Sequence, residues 1–183
     1  TFLDPGDEVI VPEPLYANYL GFAVEAGLNV VPIPTSIENG FALPSVVEFA
    51  KRLTPKTRAI LVCSPSNPTG AIYSKDQLEA IRDIVKKHDL FLIGDEVYRE
   101  FNYTEEPVPS VLQLDGIEQN VILADSVSKR YSLCGARVGF LVSRNKAFMD
   151  AACDLAKRDS VPQRLSRLVL KQQSTHQLLT LKL

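Results

Sequence analysis

Short apolar runs alternate with longer amphipathic segments along most of this 183-residue chain. The short runs have the length of buried strands, whereas apolar positions in the longer segments recur at helical spacing. In chain order the pattern predicts strands at 7–11, 30–33, 59–63, 91–94, 121–124 and 138–142, and helices at 15–26, 44–52, 75–88 and from about 145. Such alternation predicts an α/β fold, with a mainly parallel sheet and helices on both faces.

The predicted helix 75–88 has the clearest start signal. Ser74 is a favourable N-cap residue, and Gln77, three positions later, completes a capping box. We therefore expect this helix to begin at Lys75.

Composition agrees with a soluble globular protein and a single sizeable domain. The chain is 45% hydrophobic and 23% charged, with a net charge of −2 that offers no footprint for nucleic acid. No apolar stretch has transmembrane length, and acidic residues follow Thr1 too closely for a signal peptide. We expect a cytoplasmic protein without nucleic-acid or membrane partners. No metal is expected, because the cysteines lack metal-ligand spacing; they are Cys63, Cys134 and Cys153.

The richest chemistry lies in residues 126–140. Lys129 stands between small hydroxyl residues that include Ser126 and Ser128, and Arg137 follows eight positions later. A lysine amine can form a Schiff base with an aldehyde, while serine hydroxyls and a guanidinium can bind a phosphate beside it. An isolated lysine and arginine flanking a strand are usually surface residues. Here two further segments supply what an aldehyde cofactor carrying a phosphate needs.

Both segments follow predicted strands. The strand 59–63 leads into a turn that presents the amide of Asn67, although turn formation alone would explain that Asn-Pro-Thr-Gly sequence. The strand 91–94 ends in Asp95 and Glu96, and Tyr98 follows. A partly desolvated acid needs a cationic or hydrogen-bonding partner. The protonated ring nitrogen of a heteroaromatic cofactor would be such a partner for Asp95.

Taken together, these motifs resemble the fold type I, pyridoxal-phosphate-dependent aminotransferases of class I and II. The resemblance covers residues 1–156 and implies the large-domain fold of those enzymes, here incomplete at both ends. It implies that Lys129 forms the Schiff base with pyridoxal 5'-phosphate and that Asp95 pairs with the pyridine nitrogen. It also implies that Tyr98 and Asn67 hydrogen-bond the phenolic oxygen.

The same resemblance also implies which residues bind the phosphate and which residue stacks on the cofactor ring. Ser126 and Arg137 correspond to phosphate-binding residues, with Ser128 a weaker candidate. Tyr16 corresponds to the aromatic residue that stacks on the cofactor, although it would also fit an ordinary amphipathic helix.

The resemblance implies transamination between an α-amino acid and a 2-oxo acid. Asp95 would keep the ring able to accept electrons, and Lys129, once displaced by substrate, would shuttle the proton. Tyr98 is the third catalytic candidate. A lyase or racemase could use the same residues, and a non-catalytic or inactive cofactor-binding module is the other alternative. The family implies a homodimer for the full-length protein.

Resemblance to the family stops near residue 157, so we divide the chain into a core at 1–156 and a divergent tail at 157–183. A basic amphipathic helix from Arg158 to Lys171 would be one explanation of the tail. We prefer out-of-frame translation or disorder, because the loss of resemblance is abrupt. The core itself corresponds to a central piece of a longer enzyme.

Overall fold

The computed structural model describes residues 2–158, 169–173 and 176–182. The strands are β1 (Glu8–Glu13), β2 (Asn29–Pro34), β3 (Thr57–Cys63), β4 (Phe91–Asp95), β5 (Val121–Ser126), β6 (Val138–Ser143), β7 (Val169–Gln173) and β8 (His176–Lys182). The helices are α1 (Asn18–Ala26), α2 (Val46–Ala50), α3 (Lys75–His88), α4 (Val127–Arg130) and α5 (Lys146–Arg158).

All of these strands belong to a single sheet in the order β2-β1-β3-β4-β5-β6-β8-β7. Strands β1 to β5 pair in parallel, whereas β6, β8 and β7 continue the sheet through antiparallel pairs. The predicted α/β class with a mainly parallel sheet is therefore confirmed. The sheet order also places β3, β4 and β5 side by side, so their carboxyl ends share one edge.

Alternating residues of the central strands enter two different cores because side chains of a strand point to opposite faces. On one face, Ile10, Ile60 and Leu92 pack with buried residues of α2 and α3. On the other face, the core contains Val9 and Ala59 beside α1, together with a cluster against α5. Helices thus cover both faces, and the sheet edge between them holds the candidate site.

Helix α3 has the predicted bounds. The Ser74 hydroxyl accepts from the Gln77 N–H at 3.2 Å, and the Gln77 side chain accepts from the Ser74 N–H at 2.9 Å. Helix α1 begins at Asn18, later than predicted, after a turn in which the Tyr19 N–H bonds the Tyr16 carbonyl. It ends where Gly27 adopts a left-handed φ of 70°.

The predicted tail contains two strands in its described part. Strands β7 and β8 form an antiparallel pair, and β8 extends the sheet beside β6. A basic helix does not occupy 169–171, which is β-strand, and residues 159–168 of that alternative lie outside the described residues. The boundary at 157 and the out-of-frame origin stay predictions.

Among the helices of the described ranges, none has the length and apolar character needed to cross a membrane. The cytoplasmic location stays a prediction.

Candidate active site

The polar residues singled out in the sequence lie along the edge formed by the carboxyl ends of β3, β4 and β5. Asn67 follows β3, Asp95 ends β4, and Ser126 ends β5. Lys129 is carried on α4, a four-residue helix that starts directly after β5. Parallel α/β sheets gather ligands at this edge, so the fold brings together groups far apart in sequence.

Tyr98 stands between two of these groups. The Asn67 side-chain amide donates to the Tyr98 hydroxyl at 3.3 Å, although the two residues are 31 positions apart. The Lys129 ammonium lies 5.7 Å from the centroid of the Tyr98 ring, within range of a cation–π interaction. An amide donor, a phenol and a primary amine therefore converge at one place.

Asp95 accepts two hydrogen bonds. The Tyr19 hydroxyl donates to its Oδ2 at 2.6 Å, and the Val97 N–H donates to its Oδ1 at 3.2 Å. Burial and the charge of Asp95 raise the pKa of Tyr19, so the tyrosine stays protonated and keeps donating. The carboxylate is held in place while part of its surface stays open.

Tyr19 is the site residue that sequence reasoning missed. It lies 76 positions from Asp95, so their contact arises only when β1 and β4 enter the same sheet. Its signal was its position three residues after Tyr16, a spacing that places both tyrosines on one side of the turn leading into α1. Their rings do meet edge to face, with centroids 5.4 Å apart.

Tyr16 itself lies at the rim of the site. It is 37% exposed, and its hydroxyl accepts from the Asn18 side-chain amide at 2.8 Å. The exposed ring is accessible to a ligand. Its connection to Asp95 is indirect, because Tyr16 packs on Tyr19 and Tyr19 bonds Asp95.

Cys63 is a buried core residue next to Asp95. The two residues are partners in the β3–β4 register. Burial and the charge of Asp95 raise the pKa of the Cys63 thiol to about 11. Its sulfur donates to the Pro65 carbonyl at 3.3 Å, so the thiol stays protonated and serves packing.

Glu96, the second acid after β4, anchors the chain that follows. Its side chain is almost fully buried and accepts from the Ser110 hydroxyl and the Val111 N–H, both at 2.8 Å. Arg99 donates to its other oxygen at 2.8 Å. Burial raises the pKa of Glu96 despite these bonds. This network fixes the turn that carries Tyr98.

The predicted phosphate-binding residues gather around α4. The Ser126 hydroxyl caps this helix by accepting from the Ser128 N–H at 2.9 Å. Gly139 of β6 pairs with Ser126, which brings Arg137 to the end of β5. Arg137 is exposed and has a φ of 51°, a left-handed value that residues other than glycine rarely adopt. Such backbone strain concentrates at functional sites.

Comparison with known proteins decides the family. The model of the family described as "Aminotransferase class I and II" matches residues 1–181. This chain belongs to that aminotransferase family. Individual relatives align over a shorter part of it.

Several relatives carry aminotransferase names. An aromatic-amino-acid aminotransferase of Thermococcus litoralis is 41% identical over 143 residues, which are 78% of this chain and 36% of that protein. A putative aminotransferase of Bacillus subtilis is 40% identical over 138 residues, 75% of this chain and 35% of that protein. The chain therefore spans about a third of the length of these relatives.

Solved aminotransferase structures share the fold. The crystal structure of an aromatic aminotransferase from Pyrococcus horikoshii superposes with a TM-score of 0.82 at 36% identity, covering 87% of this chain and 42% of that one. An aspartate aminotransferase of Thermus thermophilus gives a TM-score of 0.80 at 33% identity, with 87% and 40% covered. The predicted large-domain fold is thereby confirmed.

The polar side chains at this edge of the sheet fit the cofactor that the aminotransferase family implies. Pyridoxal phosphate requires an amine for its aldehyde, an anion for its ring nitrogen and donors for its phenolic oxygen. Lys129, Asp95 and the Asn67–Tyr98 pair supply these chemical types at one edge. The role of each residue stays a prediction.

Proposed function

We propose that this chain is the cofactor-binding portion of a pyridoxal-phosphate-dependent aminotransferase. The reaction would move an amino group from an α-amino acid to a 2-oxo acid. The observation that carries the proposal is the convergence of Lys129, Tyr98 and Asn67 beside Asp95 at the carboxyl edge of the sheet.

Lys129 has two tasks in this proposal. Its amine would hold the cofactor covalently at rest, and after substrate replaces it the free amine would carry a proton to and from the substrate's α-carbon. When bound, pyridoxal phosphate supplies an electron sink for the electrons released at that carbon. The position of Lys129 beside the Tyr98 ring keeps the amine at the site in both tasks.

Asp95 would hold a proton on the ring nitrogen. An ionised carboxylate does this best when it is oriented and partly shielded from water. The bonds from Tyr19 and the Val97 N–H provide that orientation, and Asp95 is neither fully buried nor fully exposed. Tyr19 therefore joins the proposal as a positioning residue for Asp95.

The remaining predicted residues would bind the rest of the cofactor. Asn67 and Tyr98 would donate to the phenolic oxygen, as their mutual hydrogen bond already aligns them. Ser126 and Arg137 would bind the phosphate, with Ser128 as a further donor. Tyr16 would cover one ring face.

Substrates and assembly are proposed from the relatives. These relatives include aromatic, aspartate and arginine–pyruvate aminotransferases, so the proposed substrates are an α-amino acid and a 2-oxo acid without a narrower choice. We also propose a homodimer for the longer protein, as the family implies.

Amino-group transfer tests the proposal. The purified chain is loaded with pyridoxal phosphate and mixed in turn with aspartate, alanine and phenylalanine, and the 2-oxo acid formed is quantified. We expect formation of a 2-oxo acid that is lost in Lys129→Ala and kept in Lys87→Ala, since Lys87 lies in the last turn of α3. Equal product from Lys129→Ala would contradict the proposal, and so would failure of this chain to form a visible absorbance band with pyridoxal phosphate.

A further inference from the structure

The turn that presents Tyr98 is closed by two contacts between the residues at its ends. The Arg99 N–H donates to the Glu96 carbonyl at 3.0 Å, as in a four-residue turn. Across the same turn, the Arg99 guanidinium donates to Glu96 Oε2 at 2.8 Å. Tyr98 is the third residue of this turn, so a backbone bond and an ion pair both constrain the segment that carries it.

The ion pair is shielded from water. The side chains of Glu96 and Arg99 are 4% and 33% exposed. Exposed ion pairs contribute little because water screens them, whereas a charged hydrogen bond to a buried carboxylate is strong. This pair therefore constrains the turn more than a surface pair would.

The same two side chains fasten the turn to a segment beyond it. Glu96 Oε1 accepts from the Ser110 hydroxyl and the Val111 N–H, and Arg99 donates to the Val108 carbonyl at 3.2 Å. Val108 and Val111 are buried core residues. The turn is thus fixed to the core as well as closed on itself.

The position of the turn decides where the Tyr98 hydroxyl lies. The Asn67 amide donates to that hydroxyl at 3.3 Å, which is long for a hydrogen bond, so a small shift of the turn would break it. The Phe101 ring meets the Tyr98 ring edge to face, with centroids 5.8 Å apart, but Phe101 is 41% exposed and restrains Tyr98 only on one side. The closed turn therefore supplies the main restraint on the hydroxyl.

We infer that Arg99 and Glu96 are positioning residues that hold the Tyr98 hydroxyl in reach of Asn67, so that both can bind the phenolic oxygen of the cofactor. Neither residue touches the cofactor in this inference, since both act through Tyr98. The inference deepens the proposed function and rests on it for the role of Tyr98 toward the cofactor.

Two variants break the ion pair from opposite sides. Arg99→Gln removes the donor, and Glu96→Gln removes the charge of the acceptor; each is made alone and combined with Tyr98→Phe. The first readout is urea unfolding of the chain without cofactor. The second is the Kd for pyridoxal phosphate, from titration of the visible absorbance. If one of the two variants does not fold, the other carries both readouts.

Arg52→Gln is the matched control. The Arg52 side chain is 26% exposed and, like Arg99, donates both to a glutamate and to a backbone carbonyl, those of Glu48 and Pro32. Pro32 belongs to β2, which is at one end of the sheet order. The control thus removes a similar arginine away from Tyr98.

The unfolding readout does not depend on the cofactor. In the wild-type background and in Arg52→Gln, Tyr98→Phe should lower the folding equilibrium constant about fivefold, because the bond from Asn67 is lost. In Arg99→Gln and Glu96→Gln the same substitution should cost less than about twofold, since the turn no longer holds that bond. An equal cost in all backgrounds would overturn the inference.

The binding readout tests whether both residues act through Tyr98. We expect Arg99→Gln and Glu96→Gln each to weaken cofactor binding about threefold, and Tyr98→Phe to weaken it about tenfold, alone or combined with either. Opposite changes in the two variants would indicate an effect of charge, because one removes a positive group and the other a negative group. Losses that multiply with that of Tyr98→Phe would indicate a route that bypasses Tyr98. Either result would overturn the inference.

Failure of the proposed function is distinguishable from failure of this inference. If none of the proteins forms a visible band with pyridoxal phosphate, the proposed function fails. The unfolding measurements on the cofactor-free chain still decide whether the ion pair positions Tyr98.

Discussion

Tyr19→Phe isolates the hydrogen bond that orients Asp95. The substitution removes the hydroxyl that donates to Asp95 Oδ2 at 2.6 Å but keeps the ring that contacts Tyr16. Hydrogen bonds to charged groups contribute about 1.5–3 kcal/mol to stability. Asp95 keeps the bond from the Val97 N–H and is reached by water, so the lower end applies. We expect a loss of about 1.5 kcal/mol, or a Tm lower by about 3–6 °C for a chain of this size.

Urea unfolding followed by circular dichroism measures this loss. The matched control is Tyr16→Phe, which also removes a tyrosine hydroxyl, here from the turn that leads into α1. That hydroxyl accepts from Asn18 at 2.8 Å and is exposed, so its loss should cost no more than about 0.5 kcal/mol. Equal losses in the two variants, or a larger loss in Tyr16→Phe, would refute the view that the Asp95 bond is a strong, partly shielded one.

Further predictions concern β4 and the residues around it. Gly94→Ala would place a Cβ 2.5 Å from a Val111 methyl. We expect thermal unfolding to show a loss of about 1–3 kcal/mol in the free energy of unfolding, part of which Val111→Ala should restore. Additive losses in the double variant would contradict this. Burial raises the pKa of Glu96, so the folded chain binds more protons there than the unfolded chain and loses stability as pH rises above 4.5. Urea unfolding across that range should show Glu96→Gln without this loss, whereas an unchanged pH dependence would exclude Glu96 as its source. Asp95→Ala should keep the visible cofactor band but form no 2-oxo acid, and product at the wild-type rate would remove Asp95 from the mechanism.

Much of the fold follows from local patterns. The bounds of α3 were predictable because its start and end are encoded by neighbours, from the Ser74 capping box to Asp89 with its left-handed φ of 50°. The start of α1 was not, because the first turn after Leu15 bonds in a tighter pattern before regular helix begins. Strands β7 and β8 were missed because the expectations for the tail were a helix or no structure.

Some residues of the candidate site could also be predicted from the sequence, whereas others could not. Residues next to strand ends, such as Asn67 and Asp95, could be placed at one edge because parallel strands share their direction. The Tyr19 contact with Asp95 and the Arg130 contact with Asp125 could not, since each depends on side-chain directions that exist only after the sheet has formed. Lys129 was identified as the amine, but its position on α4 came from the structure.

Reductive trapping of the cofactor tests the central claim most directly. The purified chain is mixed with pyridoxal phosphate, reduced with borohydride and mapped by peptide mass spectrometry. The account predicts a visible absorbance band before reduction and the label on Lys129 afterwards. Label spread over lysines of α3 such as Lys75, Lys86 and Lys87, or no label at all, would contradict the claim that this sheet edge is built to hold the cofactor.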